Sequence, residues 1–179
     1  LRLVTQGKLK LEAPVSELLP GTAIDNPWTT TDPVLVRHLL DHTAGLDDAR
    51  LWQVLSLKPE ADTPMADTFR PGGSLLLVRS RPGSRFSYSN MSYSLLGMVI
   101  ESVTGERYET YLDRELLKPL AMHDSTFGFI SQLQDKRIAM GHFENGKAHY
   151  VLPMYLRPAG QFTTTANDMA LFAGFLMSD

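Results

Sequence analysis

Tyr88 and Asn90 are the side chains whose types and spacing could do chemistry. They stand two residues apart in Arg81-Pro82-Gly83-Ser84-Arg85-Phe86-Ser87-Tyr88-Ser89-Asn90, directly before an apolar helical run. A phenol can shuttle a proton when neighbouring cations depress its pKa, which is about 10 unperturbed. A carboxamide can hold a substrate amide through both its donor and its acceptor. The pairing points to acyl transfer. A buried tyrosine followed by an asparagine helix cap would give the same letters, and Asn90 can do both jobs.

Other polar groupings are weaker. His38 and His42 lie four apart with Asp41 between them, a spacing that could hold a metal on one helix face. Leu39 stands where a zinc-protease helix has its glutamate, and no third ligand is indicated, so a capping or core role for both histidines is the stronger reading. Arg70-Pro71-Gly72-Gly73-Ser74 lacks the glycine spacing and the lysine of a phosphate loop and reads as a turn. The acidic residues are scattered, with no glycosidase-like pair. The sequence therefore calls for no cofactor and no metal.

The elements that must position Tyr88 and Asn90 follow from periodicity and breakers. The clearest is a helix over about Asn90 to Val103, with Leu95, Leu96, Val99, Ile100 and Val103 as its apolar stripe and Gly105 as its stop. Leu1 to Gly7 reads as the last turns of a helix, and Pro14 to Pro20 as one helical turn between prolines. Residues 21–31 read as a polar loop. Thr31 or Asp32 is expected to cap a helix with Pro33 in its first turn, burying Leu35, Val36, Leu39 and Leu40 and ending near His42. Asp47 to Lys58 has helical spacing, residues 59–73 read as a mobile surface loop, and Ser74 to Ser80 could be helix or strand. Tyr108 to Leu117 is expected to be helical and to end before Pro119. Asn145-Gly146 between 137–143 and 148–152 predicts a hairpin. Thr165 and Asp168 predict the start of a helix carrying Met169, Leu171, Phe172, Phe175 and Leu176.

The 179 residues are 43% hydrophobic and 21% charged, with a net charge of -3 and no cysteine. That is about one domain's worth of ordinary globular composition. The balance offers no basic field for nucleic acid. No apolar run is long enough to span a bilayer as a transmembrane segment. Without cysteine, disulfides and thiol catalysis are excluded, but the compartment is not fixed. Leu1 is not an initiator methionine and the last residues carry a helical pattern, so the chain reads as a segment of a longer protein.

Four blocks, in order, resemble the serine β-lactamase-related family, which contains class C β-lactamases, D-alanyl-D-alanine peptidases and related esterases. Val36-Arg37-His38-Leu39-Leu40-Asp41-His42-Thr43-Ala44-Gly45-Leu46 is similar to its I-R-H-L-L-T-H-T-S-G-L segment. Pro82 to Asn90 with Tyr93-Ser94-Leu95-Leu96-Gly97 resembles its P-G-x-x-F-x-Y-S-N-x-x-Y-x-L-L-G segment. Leu3 to Val15 resembles L-V-E-x-G-K-L-x-L-D-D-P-V, and Pro158 to Met169 resembles P-A-G-G-L-x-S-T-x-x-D-M. Gln161 replaces the usual second glycine and Ala44 the commoner serine.

The resemblance implies a fold that is mainly α with a small β-hairpin, the helical lobe of the α+β β-lactamase/transpeptidase-like fold. Residues 1–179 would then form a partial domain. It implies a serine hydrolase acting on an amide or ester (a β-lactam, a D-Ala peptide or an ester) through an acyl-enzyme. Tyr88 would be the proton shuttle, and Asn90 would orient the substrate amide and the nucleophile's lysine. The family is mostly extracytoplasmic in bacteria. Its serine and lysine are spaced S-x-x-K, yet the residues three before Lys8, Lys10, Lys58, Lys118, Lys136 and Lys147 are Thr5, Gly7, Leu55, Glu115, Leu133 and Glu144. No K-T-G or H-x-G is present either. The chain as given is therefore expected to be inactive. The alternative is a non-catalytic binding or scaffold module on the same lobe. Self-association through exposed apolar surface is expected.

Overall fold

Helix α4, Asn90–Thr104, is the axis on which the other elements pack. It is seen in a computed structural model that describes residues 1–48, 60–69 and 75–178. Its stripe points inward: Leu95 and Val99 are fully buried and meet Val15, Leu39, Leu46 and Val78 in the main core. The helix ends as expected at Gly105, whose φ of +73° suits a residue without a Cβ and whose N–H reaches the Glu101 carbonyl at 2.8 Å.

Helices α1 (Arg2–Thr5), α2 (Val15–Leu18) and α3 (Val36–Leu40) precede it. The start of α3 corrects the sequence reading: the helix begins after Leu35, not at Thr31 or Asp32. Leu35 is held extended by an antiparallel bridge to Pro14, with Val15 N–H on the Val34 carbonyl at 2.8 Å and Val36 N–H on the Ala13 carbonyl at 3.1 Å. This long-range pairing overrides the local cap signal.

A 3₁₀ turn, Met65–Phe69, interrupts what was expected to be a surface loop, and Met65 is buried. The helix expected over Asp47 to Lys58 lies almost wholly outside the described residues, and so do 70–74. Leu75 and Leu76 form a turn, and Leu77 and Val78 follow with single bridges to Asp25 and to Leu46 rather than a helix. Helix α5, Tyr108–Leu112, runs into a π-helical turn, Asp113–Leu117, together covering the stretch predicted as one helix.

The hairpin is present but short. Strands β1 (Gly141–His142) and β2 (Ala148–His149) pair antiparallel, with Gly141 opposite His149, around the Asn145-Gly146 turn. Helix α6, Arg157–Gly160, was not anticipated, and Pro158 occupies its first turn. Helix α7, Ala166–Met177, starts where predicted, with Thr165 Oγ1 accepting the Asp168 N–H at 3.2 Å. The Asp168 side chain does not close a reciprocal capping box. It is 2% exposed and instead accepts from Asp124 N–H at 2.9 Å and Ser125 Oγ at 2.7 Å, pinning α7 to that segment. Helix α4 packs against α2, α3, α5, α6 and the 3₁₀ turn.

Candidate active site

The segment leading into α4 is held in place from below by the residues after α3. Gly83 turns the chain at φ +79°, and its N–H bonds the Thr43 carbonyl at 2.8 Å. Ser87 N–H bonds the His42 carbonyl at 2.8 Å. Ser89 N–H donates to His42 Nδ1 at 3.2 Å, and the fully buried Ser89 hydroxyl donates to the Asp47 carbonyl at 2.9 Å. Side chains therefore alternate: Ser89 points in, while Tyr88 is 56% exposed.

His42 is the platform under Tyr88. Its backbone takes φ +58°, a left-handed conformation that imidazole residues adopt more readily than most. Its ring lies 4.6 Å from the Tyr88 ring, 5.2 Å from Tyr93 and 5.7 Å from Phe86. Nδ1 accepts the Ser89 N–H, so the neutral ring carries its proton on Nε2. His38 turns the other way: its Nδ1 accepts the Leu35 N–H at 3.2 Å, and burial, then the Arg37 charge, lowers its pKa. Because α3 ends at Leu40, the two imidazoles do not share a helix face. Among the described residues no group of three or more candidate ligands is placed to hold a metal.

Asn90 is half-buried at the first position of α4, and Ser89, extended at φ -152°, is the capping position. The capping acceptor is the side chain of neither. Asp48 Oδ1 takes the Asn90 N–H at 2.7 Å, and Asp48 Oδ2 takes Asn90 Nδ2 at 2.8 Å. A carboxylate at a helix N-terminus also meets the positive end of the helix dipole. The Tyr88 hydroxyl then donates to Asn90 Oδ1 at 3.1 Å. The two residues singled out in the sequence are thus in direct contact and both reach solvent.

Two residues of this cluster were not found from sequence as partners of that pair. Asp48 sits 42 positions before Asn90, and only the fold brings it there. His42 was noted for a different reason. Neither of two described cavities has Tyr88 or Asn90 in its lining, though the smaller borders the cluster at Tyr93. One of about 320 Å³ is apolar and includes Leu3, Leu40, Leu96 and Tyr108; the other, of about 640 Å³, includes Asp124, Ser125, Arg137 and Thr163. The buried phenol of Tyr108 is pushed well above its ordinary value, mainly by burial and then by the Glu109 charge, so it stays neutral. Gln161, one of the departures from the motif, is buried with its Nε2 on the Phe127 carbonyl at 3.1 Å.

A family model described as Beta-lactamase matches residues 1–179. The chain belongs to the beta-lactamase family. Within that family it is 27% identical over 188 residues to Protein flp of Staphylococcus aureus (strain MW2), covering 99% of this chain and 36% of that protein. It is 27% identical over 192 residues to Penicillin-binding protein 4 of Amycolatopsis lactamdurans, covering 100% of this chain and 47% of that one. Among solved structures, an octameric penicillin-binding protein homologue from Pyrococcus abyssi superposes with a TM-score of 0.74 at 27% identity, over 96% of this chain and 40% of the other. The beta-lactamase-family chain thus spans less than half the length of these relatives and has the β-lactamase/transpeptidase-like fold, represented among the described residues by helices and a small antiparallel hairpin.

Proposed function

We propose that residues 1–179 are part of a serine hydrolase domain, mostly its helical lobe, and that the whole protein opens amide or ester bonds through an acyl-enzyme. Tyr88 would pass the proton between nucleophile and leaving group, and Asn90 would hold the substrate amide and the nucleophile's lysine. One observation carries this reading: an exposed phenol and a half-buried carboxamide in contact at 3.1 Å, at the mouth of α4. Family membership and the name of the penicillin-binding relative support a β-lactam or D-Ala peptide as substrate class.

In such a reaction a serine hydroxyl adds to the carbonyl, its proton passes to a base, and the leaving amine or alcohol takes a proton back. This sequence holds no S-x-x-K. The 179-residue chain by itself is therefore proposed to be inert. Incubation with a fluorescent penicillin and with a fluorophosphonate tests this, and covalent labelling of the 179-residue chain refutes it. In a longer form carrying S-x-x-K, Tyr88→Phe should slow acylation by about 10²-fold or more. Unchanged labelling there would remove Tyr88 from the proton path.

The same proposal includes self-association. Phe143, Tyr150 and Leu152 around the hairpin and Met169, Leu171, Phe175 and Leu176 on α7 are exposed, and clustered apolar surface of that kind favours contact between copies.

A further inference from the structure

We propose that Asp48 is a positioning residue that fixes which way the Asn90 carboxamide faces and so makes the Tyr88 hydroxyl a hydrogen-bond donor toward it. This rests on the reading that Tyr88 and Asn90 belong to the site.

The two ends of a carboxamide are nearly the same size, and only its neighbours decide which end is which. At Asn90 the decision falls to Asp48. An ionised carboxylate accepts and cannot donate. Its Oδ1 already holds the Asn90 backbone N–H at 2.7 Å, which places Oδ2 2.8 Å from the side-chain amide. Only the NH₂ end can sit there. Reversing the amide would set its oxygen against a carboxylate oxygen and exchange a charge-assisted bond for a repulsion between two acceptors.

The consequence passes along the chain of contacts. With Nδ2 committed to Asp48, Oδ1 is the atom facing Tyr88, 3.1 Å from the phenol oxygen. An amide oxygen carries no proton, so the phenol must donate. Its own lone pairs are then turned outward, where Tyr88 is exposed. One N–H of Asn90 is left over for a carbonyl. Asp48 thereby sets the polarity of the Tyr88 contact through Asn90. Its own place is fixed by the neighbouring residue: the Asp47 carbonyl is held by Ser89 Oγ at 2.9 Å, and the Asp47 carboxylate pairs with Arg79.

The test is spectroscopic and uses the 179-residue chain. The tyrosine doublet in Raman spectra reports whether a phenol donates or accepts, and subtracting the Tyr88→Phe spectrum isolates Tyr88. A donor signature is expected for the unsubstituted chain. In Asp48→Asn the new amide can hold the Asn90 N–H through its oxygen only by presenting its own NH₂ to the Asn90 side chain. The Asn90 amide must then turn over, and Tyr88 should switch to an acceptor signature. An acceptor signature in the unsubstituted chain, or a donor signature retained in a folded Asp48→Asn, overturns the proposal. If Asp48→Asn does not fold, the unsubstituted chain decides through NMR. A scalar coupling from Asn90 Nδ2 to the Asp48 carboxyl carbon supports the contact, and its absence overturns it. Neither measurement involves acylation, so a failure of the hydrolase reading is seen separately, in the labelling experiments.

Discussion

At the scale of single residues, the cluster beneath Tyr88 divides into groups that hold position and groups that reach solvent. Ser89 holds position. Ser89→Ala removes one buried hydrogen bond, to the Asp47 carbonyl, and should cost about 1 kcal/mol in denaturant unfolding. His38 gives a pH dependence of definite sign. Burial lowers its pKa below the ordinary 6.5, so between that value and its folded value the unfolded chain binds more protons. Its contribution is complete above about pH 6.5 and is lost as pH falls toward the folded value. His38→Gln should flatten the loss of stability on going from pH 7 to pH 5, read by thermal melts at each pH. The sequence pointed to Tyr88 and Asn90 because a motif of fixed spacing carries them. It said nothing of Asp48, because an aspartate gains meaning only from what the fold sets opposite it, and that partner is 42 residues away.

Among the elements, α4 and α7 were legible because each runs for three turns or more with an apolar period and a marked boundary. Helix α3 was misplaced at its start: Asp32-Pro33 is a sound local signal, but the bridge between Pro14 and Leu35 holds the chain extended past it. Helix α6 is one turn long and too short to show a period. Its packing yields a sharp prediction. A Cβ on Gly97 of α4 would stand 2.4 Å from Pro158 Cγ. Gly→Ala inside a helix ordinarily stabilises by about 1 kcal/mol, while forced overpacking costs about 1–3 kcal/mol. Pro158 is a rigid ring, so the clash should win and Gly97→Ala should lower the melting temperature. Leu95→Ala, at the centre of the core, should cost about 2–5 kcal/mol by chemical denaturation.

For the molecule as a whole, the exposed apolar residues of α7 are the surface on which the proposed self-association rests. On that proposal Phe175→Lys with Leu176→Glu should shift the chain toward monomer in light scattering, and an unsubstituted chain that is already a clean monomer would refute it. A second whole-molecule link is the buried pair of Arg157, 2% exposed, with Glu109 at 2.7 Å, which joins α6 to α5. Among the described residues, Arg157→Met leaves Glu109 with the partly exposed Arg107 as its ion-pair partner and should destabilise by about 3 kcal/mol in denaturant unfolding. The central place of α4 has a kinetic consequence. Besides α5 and the 3₁₀ turn, which lie near it in sequence, its partners come from residues 15–18 and 36–40 before it and 157–160 after it. Long stretches must loop back before the rest of its surface is covered, and the entropy of closing them is spent before those contacts reward it. Although nearly all its regular structure is helical, the chain should refold more slowly than small helical bundles do, with stopped-flow fluorescence of its tryptophans as the clock.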